Sequence, residues 1–205
     1  MSEILLINAS GLDKPGVTHA ITQVLTQVGA RVLDIGQAVI HDTLALGILV
    51  ELRISAEARE QLLDAIQQAA KALDIQVRFQ TISAESYENW AEQQGKTRHI
   101  VTLLARQIDA AMIAELTAIT SKHGLNIDTI SRLSGRVSLA ELKAEELAQG
   151  SACVEFSVRG TPADLAALRT DFMDLSAKLN VDVAFQRDTV YRRNRRLVCF
   201  DMDST

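Results

Sequence analysis

The chain has 205 residues and a formal net charge of −5. Hydrophobic residues make up 47%, charged residues 23%, and the mean hydropathy is +0.08, which leaves ample core material and excludes intrinsic disorder. No apolar run nears the roughly 18 residues of a membrane span, Met1-Ser2-Glu3 lacks the basic start of a signal peptide, and Cys153 and Cys199 have no neighbours at metal-ligand spacing, so the expectation is a reducing cytoplasm without disulfides or zinc.

Ile4–Ser10 reads as an apolar strand, followed by the turn Gly11-Leu12-Asp13-Lys14-Pro15-Gly16. Val17, Ala20, Ile21, Val24, Leu25 and Val28 then recur at the spacing of a one-faced helix, with Gly29 placed to cap its end. Arg31–Ile40 is a second strand. Leu46, Ile48, Val50, Leu52 and Ile54 alternate as a third. Leu62, Ile66, Ala69, Ala70 and Leu73 make a second helix, and Ile75–Gln80 closes as a fourth strand. The order is βαββαβ. Residues 83–98, polar apart from Tyr87 and Trp90, are expected to be a linker.

The order then repeats. Leu73-Asp-Ile-Gln-Val-Arg-Phe-Gln80 has its counterpart in Leu179-Asn-Val-Asp-Val-Ala-Phe-Gln186, and Gly29 has its counterpart in Gly124. Ile100–Ala105 is a strand, Met112, Leu116, Ile119 and His123 share a helical face, and Leu125–Leu133 is the second strand of this copy. Arg136–Gly150 fits an insertion. Cys153–Arg159 is the third strand, with Val154, Phe156 and Val158 inward. Thr161-Pro162-Ala163-Asp164 reads as a helix start with Thr161 as cap, and Leu165, Leu168, Phe172, Leu175 and Leu179 form the buried stripe. The expectation is an α+β fold of two tandem ferredoxin-like βαββαβ domains, each a four-stranded antiparallel sheet with two helices on one face. The boundaries are 1–82 for the first domain, 83–98 for the linker, 99–186 for the second domain, and 187–205 for a basic connector and the start of a further domain.

Charge is uneven along the chain. Residues 1–186 hold 16 basic and 23 acidic side chains, whereas residues 187–205 hold five arginines against Asp188, Asp201 and Asp203. The acidic body argues against phosphate-backbone binding, and 4% aromatics provide no stacking platform, so no nucleic-acid partner is expected. His19, His41, His99 and His123 show no metal-pair spacing.

Three segments could carry function. The Gly11–Gly16 turn leads into a helix N-terminus, whose amides can bind a carboxylate while Asp13 holds an ammonium. Alternatively, Pro15 and Gly16 merely shape a turn and Asp13 caps the helix. Asn126 and Asp128 share one strand face, where they either line a ligand site or are solvated. Leu197-Val-Cys-Phe-Asp-Met-Asp-Ser-Thr205 is an apolar strand ending in D-x-D-S-T. Two carboxylates at i, i+2 suit phosphoryl transfer, one attacking phosphorus and one moving protons, with Mg²⁺ screening both charges; otherwise this is a solvated acidic tail.

Ser10-Gly-Leu-Asp-Lys-Pro-Gly-Val-Thr18, His123-Gly-Leu-Asn-Ile-Asp-Thr-Ile-Ser-Arg-Leu-Ser-Gly135 and the stretch from Gln186 to Thr205 together resemble the N-terminal tandem ACT region of bacterial phosphoserine phosphatases. The last stretch resembles the connector and first motif of the haloacid-dehalogenase phosphatases. The resemblance implies that Asp201 is the nucleophile and Asp203 the general acid and base, both ligating Mg²⁺ in an intact parent enzyme. The 205-residue chain itself would be catalytically incomplete and need no cofactor. The resemblance also implies a small amino-acid ligand, with L-serine, the product of phosphoserine hydrolysis, as the obvious one. Asp13, Pro15 and Gly16 would contact it, facing Asn126 and Asp128. The second copy's loop, Ala105-Arg106-Gln107-Ile108-Asp109, has neither glycine nor proline, so an equivalent second site is not expected. A homodimer is expected. The alternative is a free-standing double-ACT regulator of glycine and serine metabolism acting through a protein partner, against which the D-x-D-S-T end argues.

Overall fold

Strict alternation of apolar residues predicts strands that bury one face, and the computed structural model, which describes residues 2–136 and 151–189, arranges them so. The first repeat comprises β1 (Glu3–Leu12), α1 (Val17–Gln27), β2 (Arg31–Ile40), β3 (Thr43–Leu52), α2 (Ala56–Ala72) and β4 (Ile75–Ile82). After α3 (Ala84–Gln94), the second comprises β5 (Arg98–Ala105), α4 (Ala110–Lys122), β6 (Asn126–Arg132), β7 (Ala152–Arg159), α5 (Leu165–Leu179) and β8 (Asp182–Arg187). The chain divides into two units, Met1–Gln94 and Gly95–Thr205.

Each unit has one four-stranded antiparallel sheet, in the order β2-β3-β1-β4 and β6-β7-β5-β8. The first core follows from register. Leu5, Ile7 and Ala9 of β1 stand opposite Val50, Ile48 and Leu46 of β3. These pack beneath Val17, Ile21 and Leu25 of α1 and Leu62, Ile66 and Ala70 of α2. Asn8 and Ser10, one step out of phase on β1, are exposed, so both helices lie on one face. In the second unit Val101 and Leu103 stand opposite Phe156 and Val154, under Leu116 of α4 and Leu168, Phe172 and Leu175 of α5. Gly29 and Gly124 adopt φ of 62° and 69° after the first helix of each unit, as their matching positions predict.

Two expectations need correction, and the linker proves to hold a helix. The linker over residues 83–98 contains α3. Its polar sequence conceals a helix started by Ser83, whose Oγ accepts from the Ser86 amide at 3.1 Å, and it buries no residue of its own. Helix α5 begins at Leu165 with Asp164 as its cap, not at Pro162 with Thr161. The Asp164 carboxylate accepts from the amides of both Ala166 and Ala167 at 2.9 Å, closing the first turn itself. Leu165 is consequently the first helical residue and is 41% exposed rather than part of the buried stripe. The expected insertion, apart from Arg136, and residues 190–205, including Asp201 and Asp203, lie outside the described residues.

Candidate functional site

The turn after β1 is held by its backbone. The Asp13 amide donates to the Asp42 carbonyl at 2.7 Å, and Lys14 Nζ reaches the Leu73 carbonyl at 3.1 Å. Gly16 takes φ +96°, a conformation costly for any side chain, and so directs the chain into α1. The first intrahelical bond runs from the Ala20 amide to the Gly16 carbonyl at 2.9 Å. The amides of Val17, Thr18 and His19 therefore precede the helical bonding pattern.

No side chain caps α1. Asp13 does not cap it, whereas Gly16 does shape the turn as the alternative reading has it. Asp13, Pro15 and Gly16 are all exposed. Each of the four other helices described is closed by a side chain: Ser55 caps α2, Ser83 caps α3, Asp109 caps α4 and Asp164 caps α5. Helix α4 is the counterpart of α1. Its Asp109 carboxylate accepts from the Met112 amide at 2.8 Å, so the equivalent position in the second unit is already occupied by a carboxylate of the chain itself.

The expected pair at the start of β6 does come together. Asn126 Nδ2 donates to Asp128 Oδ1 at 3.1 Å. A register shift between Ile127 and Thr129 places Asp128 in a bulge, with its side chain 20% exposed. Sequence reasoning missed Arg159. It stands opposite Asn126 in register, and its Nη2 donates to the same Asp128 oxygen at 2.9 Å. Asn126, Asp128 and Arg159 thus form one polar cluster at the β6–β7 edge. Asp13, Pro15 and Gly16 belong to the first unit. The signal for Arg159 lay in the repeat, because its counterpart by register in the first unit is also charged, Glu51 opposite Arg31.

His123 ends α4 and meets Asp171 of α5 at 2.6 Å, with Lys122 on the same carboxylate oxygen at 2.7 Å. The hydrogen bonds from Lys122, then from His123, hold the Asp171 carboxyl below its ordinary range. His99 is buried, stacks on Phe185 at 4.8 Å, and has its pKa lowered by burial and then by the charge of Arg187. Among the described residues, no group of three or more His, Cys, Asp or Glu side chains could hold a metal ion, and no helix is long and apolar enough to cross a membrane. Strand β2 is a sheet edge, and Val32, Ile35, Val39 and Ile40 on it are exposed.

Comparison with known proteins places these features. The ACT domain family model matches residues 3–80. The phosphoserine phosphatase SerB2 of Mycobacterium tuberculosis is 27% identical over 201 residues, covering 98% of this chain and 45% of that protein. The phosphoserine phosphatase of Streptomyces coelicolor is 29% identical over 201 residues, covering 98% and 44%. The chain thus spans somewhat under half the length of these curated relatives. A UPF0237 protein of Methanopyrus kandleri is 31% identical over 72 residues, covering 35% of this chain and 80% of that protein. Among solved structures, a protein of unknown function from Galdieria sulphuraria superposes with a TM-score of 0.70 at 15% identity, covering 92% of this chain and all of that one. A protein provisionally described as a glycine cleavage system transcriptional repressor gives 0.64 at 15% identity, covering 92% and 99%. At such identities the likeness concerns the fold.

Proposed function

We propose that this chain, whose residues 3–80 match the ACT domain family model, is an amino-acid-sensing regulatory region, with L-serine as ligand, of a phosphoserine phosphatase. The observation that carries this reading is the open N-terminus of α1 with the uncommitted Asp13 one turn before it. A zwitterion needs both features: helix amides for its carboxylate and an anion for its ammonium. Pro15 and Gly16 shape the approach. Asn126 and Asp128 are proposed as ligand contacts within their own unit.

The whole protein would hydrolyse O-phospho-L-serine to L-serine and phosphate, so its regulatory region would read its own product. Asp201 and Asp203 would be nucleophile and proton carrier there, and would hold its Mg²⁺; both lie outside the described residues. A homodimer is favoured by β2, whose outer edge is apolar and exposed at Val32, Ile35 and Val39.

The test is calorimetry and thermal unfolding with L-serine, glycine, D-serine and L-alanine. Ligand at 100 times its dissociation constant adds about 2.7 kcal/mol of stability. Asp13→Ala should weaken L-serine about 10- to 100-fold, the value of one hydrogen bond to a charged group. Absence of any response to all four amino acids overturns the proposal. Binding that ignores Asp13→Ala removes the α1 turn from it.

A further inference from the structure

His99 is a departure that the fold does not require. It lies on β5 with Val158 of β7 on one side and Arg187 of β8 on the other. The same place in the first unit, between Val50 and Thr81, is held by Leu5. Leu5 is fully buried and His99 is 8% exposed, so both side chains belong to the interior. Phe185, on which His99 stacks at 4.8 Å, also has its counterpart, Phe79. Leucine fills this place by apolar contact alone. Histidine brings a ring nitrogen, Nδ1, that is buried and has no hydrogen-bond partner among the described residues. A buried polar atom without a partner costs stability, so packing does not explain the histidine.

The surroundings accept a neutral ring and reject a charged one. Protonation puts a hydrogen on Nδ1, which has no acceptor there. It also sets a cation opposite Arg187, with Arg98 next to it on β5 and Arg159 opposite Arg98 on β7. Over this end of the sheet, α4 finishes in Lys122 and His123, both bonded to Asp171 of α5, so that carboxylate is engaged. Arg169 of α5 lines a groove with Phe185. The first acid beyond β8 is Asp188, whose amide donates to the Arg98 carbonyl at 2.9 Å. Burial, then the charge of Arg187, holds the His99 pKa below its ordinary value. Strand β5 is held between two neighbours, whereas β8 is a six-residue edge strand. The ring therefore gains water most cheaply when the end of β8 moves away.

We propose that His99 is a pH-sensitive latch on the end of β8: once protonated, its ring leaves the interior and frees Phe185–Arg187 from β5. This goes beyond the amino-acid reading and does not depend on it. The freed end is where the chain leaves the second unit for the arginine-rich stretch 187–196. Closed, the latch fixes where that stretch begins. Open, it lengthens the tether by the residues released. The rest of the sheet stays paired, because Val101, Leu103, Val154 and Phe156 hold β5 to β7 under the helices. Histidine suits the task because its ordinary pKa brings the change of charge between about pH 5 and 8.

The experiment is hydrogen exchange read by mass spectrometry on the full chain at about pH 7.5 and about pH 5.5, with rates corrected for the intrinsic effect of pH. Exposing a group whose ordinary pKa is 6.5 favours opening by up to about tenfold at the lower pH. Peptides spanning Phe185–Arg187 should lose protection by up to that factor, while peptides from β7 keep theirs. His99→Leu, which installs the residue of the first unit, should abolish the loss. Arg187→Gln should shrink it, because the closed form then protonates more readily. Equal loss in β8 and β7, or a change in β8 below about twofold, overturns the proposal in wild-type protein without any variant. So does a loss that persists undiminished in His99→Leu.

Discussion

Phe156→Ala tests whether the two cores are held separately. Phe156 is fully buried in β7, opposite Val101 of β5 and Ile130 of β6, and its contacts belong to the second cluster alone. Truncating a buried phenylalanine costs about 3–5 kcal/mol through lost burial and the cavity left behind. That is a large part of the roughly 5–15 kcal/mol that holds a domain folded. The assay is amide hydrogen exchange read by mass spectrometry on peptides from β3 and β7. Core strands exchange through global opening of their unit, and each 1.4 kcal/mol is tenfold, so β7 amides should exchange about a hundred- to several-thousand-fold faster. Amides of β3, built around Ile48 and Val50 in the first cluster, should keep their rates. Equal acceleration in β3 would show one cooperative core instead of two. Acceleration of β7 by less than about tenfold would refute the cavity argument for this site.

Two further outcomes follow from local chemistry. His99 has a lowered pKa because burial, then the charge of Arg187, disfavours its protonated form, so the unfolded chain takes up the proton first as pH falls. Stability should therefore be full above the ordinary value of 6.5 and decline below it until the folded protein also protonates, and thermal unfolding of His99→Phe across that range should lack this component. Asp164→Ala should lower stability by about 1 kcal/mol, or about 4–8 °C in melting temperature for a unit of this size, because two amides lose their acceptor. Thr161→Ala should change nothing measurable, and a comparable loss there would restore Thr161 as the cap.

The strands and their faces were legible because alternation is a local signal. Leu5, Ile7 and Ala9 announce a buried face without reference to any other part of the chain. The duplicated order was legible for the same reason, since Leu73–Gln80 and Leu179–Gln186 match residue for residue in pattern. What escaped depended on partners. Helix α3 has no buried stripe, so its polar sequence gave periodicity nothing to detect. The α5 cap went to Thr161 because Thr-Pro is a strong start signal, yet the Asp164 carboxylate sits closer to the amides that need it. Arg159 is 31 positions from Asp128, and only strand register brings the two together. The sequence showed Asn126 and Asp128 on one face, but not the cation that makes them a cluster.

The two units diverge at two matched places, and the divergences are complementary. At the N-terminus of the first helix, α1 is open with Asp13 uncommitted, whereas α4 is closed by Asp109. At the second-strand bulge, Glu51 is satisfied by two arginines, whereas Arg159 retains an unmet donor. Stability alone favours closing both places in both units, because a helix cap and a satisfied buried charge each contribute. Each unit instead closes one and leaves the other open, and the open place differs. The first unit offers amides and a carboxylate, and the second offers a guanidinium and a carboxylate. In the second unit the two charges are already paired with each other, whereas in the first Asp13 has no such partner. The open end of α1 is the feature that the proposed amino-acid ligand would use, and Asp13→Ala read against L-serine is the variant that tests it.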